Sequence, residues 1–133
     1  MKKTKMFLLV TAILLAAFLT GCGQKNTVEA FVVSTVQYTE KADIESAAQP
    51  EQVEVGVDIY ASVYFIESPE GMEYTGKWYI DGTEIKSDSQ KTTMDKCGAI
   101  VFVLEADSVT VGTLKFEVVY NDDVLCSKEL NVT

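Results

Sequence analysis

Every second position from 53 to 65 is apolar: Val53, Val55, Val57, Ile59, Ala61, Val63 and Phe65 alternate with Glu54, Gly56, Asp58, Tyr60, Ser62 and Tyr64. Successive side chains on a β-strand point to opposite faces, so this period predicts one long strand with an apolar face on a core and a mixed face toward solvent. An amphipathic helix cannot gather residues at this spacing on one side. Weaker alternation marks 28–38 through Val28, Ala30, Val32, Val36 and Tyr38, with Ser34 as the interruption. Gly76, Trp78 and Ile80 share a face in 74–80, Ile100, Phe102 and Leu104 in 99–104, and Leu114, Phe116, Val118 and Tyr120 in 113–120.

Between these runs stand turn residues. Asp81-Gly82 predicts a type I′ hairpin into 83–86, because both central residues of that turn need positive φ. Asn121-Asp122-Asp123 turns the chain back into 124–132, making a terminal hairpin. Ser68-Pro69-Glu70-Gly71 ends the long strand, since proline cannot donate to a ladder and glycine reaches positive φ. Residues 39–49, polar around Ala42, Ile44, Ala47 and Ala48, read as a helical turn or a loop crossing between sheets, closed by Pro50. The polar stretch 87–96 reads as a connection crossing between sheets. About seven strands at this spacing predict an all-β sandwich. Its expected inward residues are Val55, Val57, Ile59, Ala61, Val63, Trp78, Ile80, Ile100, Phe102, Leu114, Phe116 and Val118.

The N-terminus follows another pattern. Lys2, Lys3 and Lys5 precede an apolar stretch, 6–19, broken only by Thr11, and Leu19-Thr20-Gly21-Cys22 follows it. The stretch is shorter than the roughly 20 residues a membrane-spanning helix needs. Basic region, apolar run and small residues leading into a cysteine resemble the signal peptide and lipobox of bacterial lipoproteins. That resemblance implies cleavage before Cys22, lipid attachment to its thiol, and a protein held on the extracytoplasmic face of the cell membrane. At about 0.8 kcal/mol per buried methylene, one acyl chain binds reversibly and two hold durably. Gly23, not Asp, follows the cysteine, which leaves the leaflet open in a two-membrane organism. The expected division is a helical signal peptide at 1–21, a lipidated tether at 22–27 and one β-sandwich at 28–133. About 110 residues make one compact domain and are too few for two.

Charge narrows the partners. The full chain carries −9; losing the signal removes three of eleven lysines and none of the twenty acids, leaving −12, with neither arginine nor histidine anywhere. Nucleic acid, which requires clustered Lys or Arg, is not an expected partner. The acids are scattered, as on a solvated surface that keeps a secreted domain soluble.

The stretch 52–132 resembles bacterial immunoglobulin-like domains of the cell-adhesion-related and surface-lipoprotein kind. The resemblance is carried by Val55-Gly56, Trp78-Tyr79-Ile80-Asp81-Gly82, Gly112 ahead of Lys115-Phe116-Glu117-Val118, and Asn131-Val132, in that order. No cysteine precedes Trp78 in the second strand, so the bridge between sheets found in antibody domains is absent. The resemblance implies a non-catalytic binding or adhesion module for a protein or polysaccharide of the envelope. An alternative is an inhibitor that presents 68–72, 87–96 and 105–110 to a protease or toxin cleft.

Candidate chemistry is sparse. Without histidine, Ser-His and Cys-His nucleophile pairs are excluded, and no enzyme, cofactor or metal site is expected. Acids near turns, Asp81, Glu84 and Asp88, Glu105 and Asp107, and Asp122-Asp123, offer hard oxygens but lack the spacing of a calcium loop. Tyr60, Tyr64 and Tyr79, on faces opposite the core, are the candidate ligand-binding surface, with packing under 39–49 as the alternative. Cys97 and Cys126 are expected to serve structure, bridged to each other or buried as free thiols.

Overall fold

The computed structural model describes residues 28–68, 71–92 and 96–133; the expected signal peptide at 1–21, with its lipobox-like Leu19-Thr20-Gly21-Cys22, and the tether at 22–27 lie outside them. Alternation becomes two facing sheets. The smaller contains β1 (Val28–Ser34), β3 (Ile59–Ser68) and β6 (Lys96–Leu104), antiparallel in the order β1-β3-β6. The larger contains β2 (Gln52–Val53), β4 (Glu73–Ile80), β5 (Thr83–Lys91), β7 (Gly112–Tyr120) and β8 (Asp123–Val132), in the order β2-β8-β7-β4-β5. β2 runs parallel to β8, and the other pairs are antiparallel. The described residues thus hold eight strands against about seven expected, because the single strand expected over 53–65 is divided between β2 and β3.

The core lies where the two inner faces meet. Ile59, Ala61, Val63 and Phe65 of β3 and Phe102 and Leu104 of β6 face Tyr74 and Trp78 of β4 and Leu114, Phe116 and Val118 of β7, all fully buried. Ile80 packs on this core while half-buried, and Ile100 is buried within it. Aromatic rings form its centre: Trp78 and Phe102 lie 4.5 and 5.5 Å from the Phe116 centroid, and Phe65 stacks on Tyr74 at 4.0 Å. Both tight hairpins have the positive φ their residues allow, with Asp81 at 49° and Gly82 at 83°, and Asn121 at 52° and Asp122 at 68°.

Three segments depart from the pattern. The run 53–65 is not one strand: β2 ends at Val53, Gly56 takes φ 85°, and β3 starts at Ile59. Val55 and Val57 are therefore not inward but 43% and 40% exposed. The chain changes sheets here, which no continuous strand can do, and glycine supplies the turn. Alternation resumes in phase, so Ile59, Ala61 and Val63 still face the core.

Residues 87–91 are not a crossing connection but the second half of β5, paired with β4 from Ile80–Thr83 to Glu73–Lys91. An edge strand needs no apolar stripe. One β5 face is solvated, while the other sends Lys86 Nζ to the Val103 carbonyl at 2.7 Å and Gln90 Nε2 to the Val101 carbonyl at 2.6 Å. These side chains occupy edge carbonyls of β6 that would otherwise await a strand.

β1 stops at Ser34 and leaves Val36 49% exposed. Its ladder shifts between Val28, opposite Phe65, and Ala30, opposite Tyr64, so Glu29 is the extra residue of a bulge. Val33 consequently enters the core, while Ala30 and Val32 face outward beneath Ile44 of α1 (Lys41–Ser46). Residues 39–49 thus both form a helical turn and cross between sheets. Gln49 closes the open edge of β1: Val33 N–H donates to its Oε1 at 2.9 Å, and its Nε2 donates to the Val33 carbonyl at 2.7 Å.

Candidate functional site

The three candidate tyrosines fall on two different sheets. Tyr60 and Tyr64 project from the outer face of β3 and Tyr79 from the outer face of β4, all half-buried. Tyr64 packs against the cluster of Ala30, Val32 and Ile44, beneath α1. Lys41 Nζ stands 5.9 Å from its ring centroid and is held by Glu29 at 2.9 Å. A hydrogen bond with Cys97, then burial, pushes the Tyr64 phenol above its ordinary range. Tyr79 lies under Lys115 Nζ at 4.6 Å, and Lys115 pairs with Glu117 at 2.9 Å. Tyr64 and Tyr79 thus serve their own outer faces, and the three do not converge on one patch.

The cysteines also belong to different sheets and are free thiols. Cys97 sits opposite Ile66 on the outer face of the smaller sheet, beside Tyr64. Cys126, opposite Val118, packs against the core, and burial pushes its thiol up from 9.0 to about 12. Two consequences follow from that shift. Maleimide labelling of the native protein near pH 8 should modify Cys97 before Cys126, because the reacting species is the thiolate; equal rates would contradict this placement. Between pH 9 and about 12 the unfolded chain releases a proton that folded Cys126 keeps, so stability should fall as pH rises through that window.

The acids divide by task. Asp81 Oδ1 accepts the Thr113 N–H at 2.9 Å, while its own N–H donates to the Thr113 carbonyl at 2.9 Å, tying the β4–β5 turn to the start of β7. Gly112 is required beside it, at φ 148°, because a Cβ there would stand 2.7 Å from the Asp81 carboxylate. Asp58 Oδ1 accepts the Ala106 N–H at 2.8 Å and so fixes the 3-10 turn Ala106–Ser108. Glu105 lies 3.0 Å from Lys86 Nζ, which holds its carboxyl below the usual range. Among the described residues, no three of His, Cys, Asp and Glu gather as metal ligands. An open groove of about 360 Å³ passes over Glu51, Thr113, Lys128, Glu129, Leu130 and Asn131 at the β2–β8 edge, and none of the tyrosines lines it.

Strand direction sorts the loops. β1 begins opposite the end of β3, so Val28 lies at the end of the sandwich where the β3–β4, β5–β6 and β7–β8 connections open. Residues 54–58, the Asp81-Gly82 turn and residues 105–111 lie at the other end. The three segments expected to act together as an inhibitory edge, 68–72, 87–96 and 105–110, do not share an end, and much of the second is strand. Sequence reasoning placed Val55 and Val57 in the core and so missed the apolar residues of the far end. Gly56 between them was the available signal.

An immunoglobulin-like protein from Pseudomonas aeruginosa superimposes with a TM-score of 0.53 at 14% identity, over 83% of this chain and 98% of that one. The fold is immunoglobulin-like. Trp78 on β4 packs between the sheets without the disulfide of antibody domains, and Phe116 lies against it. The CARDB domain of a Pyrococcus furiosus protein, solved in complex with di-metal ions, is similar at a TM-score of 0.41 and 14% identity, over 83% of this chain and 95% of that one. No family model matches the chain, and no curated protein sequence matches it.

Proposed function

We propose that this protein is a lipid-anchored, extracytoplasmic and non-catalytic module that binds a ligand of the cell envelope or surface. The observation that carries the reading is the position of an immunoglobulin-like sandwich close behind the lipobox-like Leu19-Thr20-Gly21-Cys22: β1 begins at Val28, with five residues between it and Cys22. Lipid on Cys22 supplies the attachment that a chain of net negative charge lacks toward anionic lipid. The sandwich supplies rigid strands with loops at both ends, a scaffold that serves recognition in many unrelated proteins.

Cys22→Ser should abolish lipid attachment and either release the protein or leave the signal uncleaved. Mass spectrometry of the native protein together with membrane fractionation checks this. An unmodified Cys22 with the signal intact would end the anchoring half of the reading. Binding is tested separately, by asking whether the protein captures envelope glycan or surface protein without blocking any enzymatic activity. Stoichiometric inhibition of a single hydrolase would replace adhesion with inhibition.

A further inference from the structure

Strand directions decide which surface such a module offers. The chain enters the sandwich at Val28, and the segment between Cys22 and β1 reaches about 20 Å when fully extended. An anchored domain therefore turns the Val28 end toward the membrane and the opposite end outward. That outward end carries most of the exposed large apolar residues. Of the six large hydrophobic residues exposed among the described residues, Val36, Val55, Val57 and Val111 lie there, at 49%, 43%, 40% and 66%, while Ile85 lies on β5 and Val124 at the membrane-facing end. Val55 N–H donates to the Thr133 carbonyl at 3.0 Å, and the Gly112–Val132 pair brings Val111 to the same end of β8. Two of the valines thus flank one strand end.

The charge there has one sign. Residues 54–58, 81–82 and 105–111 hold Glu54, Asp58, Asp81, Glu105 and Asp107 and no lysine. Lys86, from β5, is taken up by Glu105. Asp58 and Asp81 accept backbone N–H groups and fix the loops before any partner arrives. Glu54, next to Val55 in the chain, and Asp107, in the 3-10 turn held by Asp58, are exposed at the same end.

We propose that this outward apex docks a protein that presents an apolar side chain flanked by lysine or arginine, with Val55 and Val111 receiving the apolar group and Glu54 and Asp107 the cations. The assignment rests on the binding-module reading and narrows it to one surface and one chemistry. Binding of this kind weakens with salt, because exposed opposite charges are screened.

The test uses the full-length lipoprotein in detergent micelles. The probes are synthetic peptides with a central Leu or Phe flanked by Lys and Arg, compared with matched peptides carrying Glu flanks or a central Ser. The basic apolar peptides should bind and weaken with salt. Val55→Ser with Val111→Ser should reduce affinity about tenfold or more, and Glu54→Lys with Asp107→Lys should do likewise. Val124→Ser at the other end should change nothing, and circular dichroism should show all variants folded. Absence of binding, equal binding of the Glu-flanked peptides, loss on Val124→Ser, or apex variants that bind like the parent would each overturn the proposal. So would a preference of the apex for polysaccharide or for a second copy of the chain. Radiolabelled lipid on Cys22 is read in the same preparation. Peptide binding without lipid would sink the anchoring alone, and lipid without peptide binding would sink the apex assignment alone.

Discussion

Trp78→Ala should cost about 3 to 5 kcal/mol, a large part of the 5 to 15 kcal/mol that holds a typical domain together. The indole is fully buried, and its centroid lies 4.5 Å from that of Phe116, which also contacts Phe102 and Phe31. Removing it opens a cavity at the meeting point of both sheets, and that ring cluster is too rigidly spaced to collapse into it. Trp78 Nε1 has no hydrogen-bond partner among the described residues. An unsatisfied buried donor costs about 1 to 3 kcal/mol, so Trp78→Phe, which discards the donor and keeps a ring, should lose less than half of what Trp78→Ala loses. Urea unfolding followed by far-ultraviolet circular dichroism measures both, since the chain's single tryptophan is the residue removed. Equal losses for Phe and Ala would show that the ring contacts do not carry the stability.

Gly76→Ala should also destabilise, by about 1 to 3 kcal/mol, although glycine within a strand is ordinarily a liability that alanine relieves. Gly76 lies on the inner face of β4, and a Cβ there would come within 2.5 to 2.9 Å of three atoms of the Phe102 ring. The ring rests on bare backbone across the sandwich and cannot retreat, because Phe116 stands behind it at 5.5 Å. Steric overlap wins over backbone entropy at this distance. Adding Phe102→Leu should recover part of the loss, so that the double variant is more stable than the two single losses added together. Strict additivity in the same urea titrations would separate Gly76 from Phe102 and contradict the contact.

How far the sequence could be read depended on what each residue faced. Trp78, Phe102, Leu114 and Phe116 were legible as core because a pleated strand with one buried face writes its period into the chain. The hairpins at Asp81-Gly82 and Asn121-Asp122 were legible because positive φ restricts the residues a turn accepts. The start of β5 at 83–86 was legible from its turn, but 87–91 was not, since pairing with β4 demands backbone groups that every polar residue carries, and an edge strand has no buried stripe to declare it. Of the candidate residues, Tyr64 and Tyr79 were rightly placed on outer faces, yet nothing local could tell that those faces belong to opposite sheets.

The sequence by itself determined the β class, the inward face of β4, β6 and β7, and the turn types, because these follow from side-chain period and from φ preferences within a few residues. Tertiary structure alone decided that the alternating run 53–65 breaks at Gly56 to pass from one sheet to the other, which moves Val55 and Val57 from the expected core to an exposed apex. It also decided that β1 buries both faces, through the bulge at Glu29 and the cover of Ile44. Alternation reports that a strand has a buried side; which sheet it joins, and which end of the sandwich its loops occupy, depend on partners distant in the chain that no local pattern encodes.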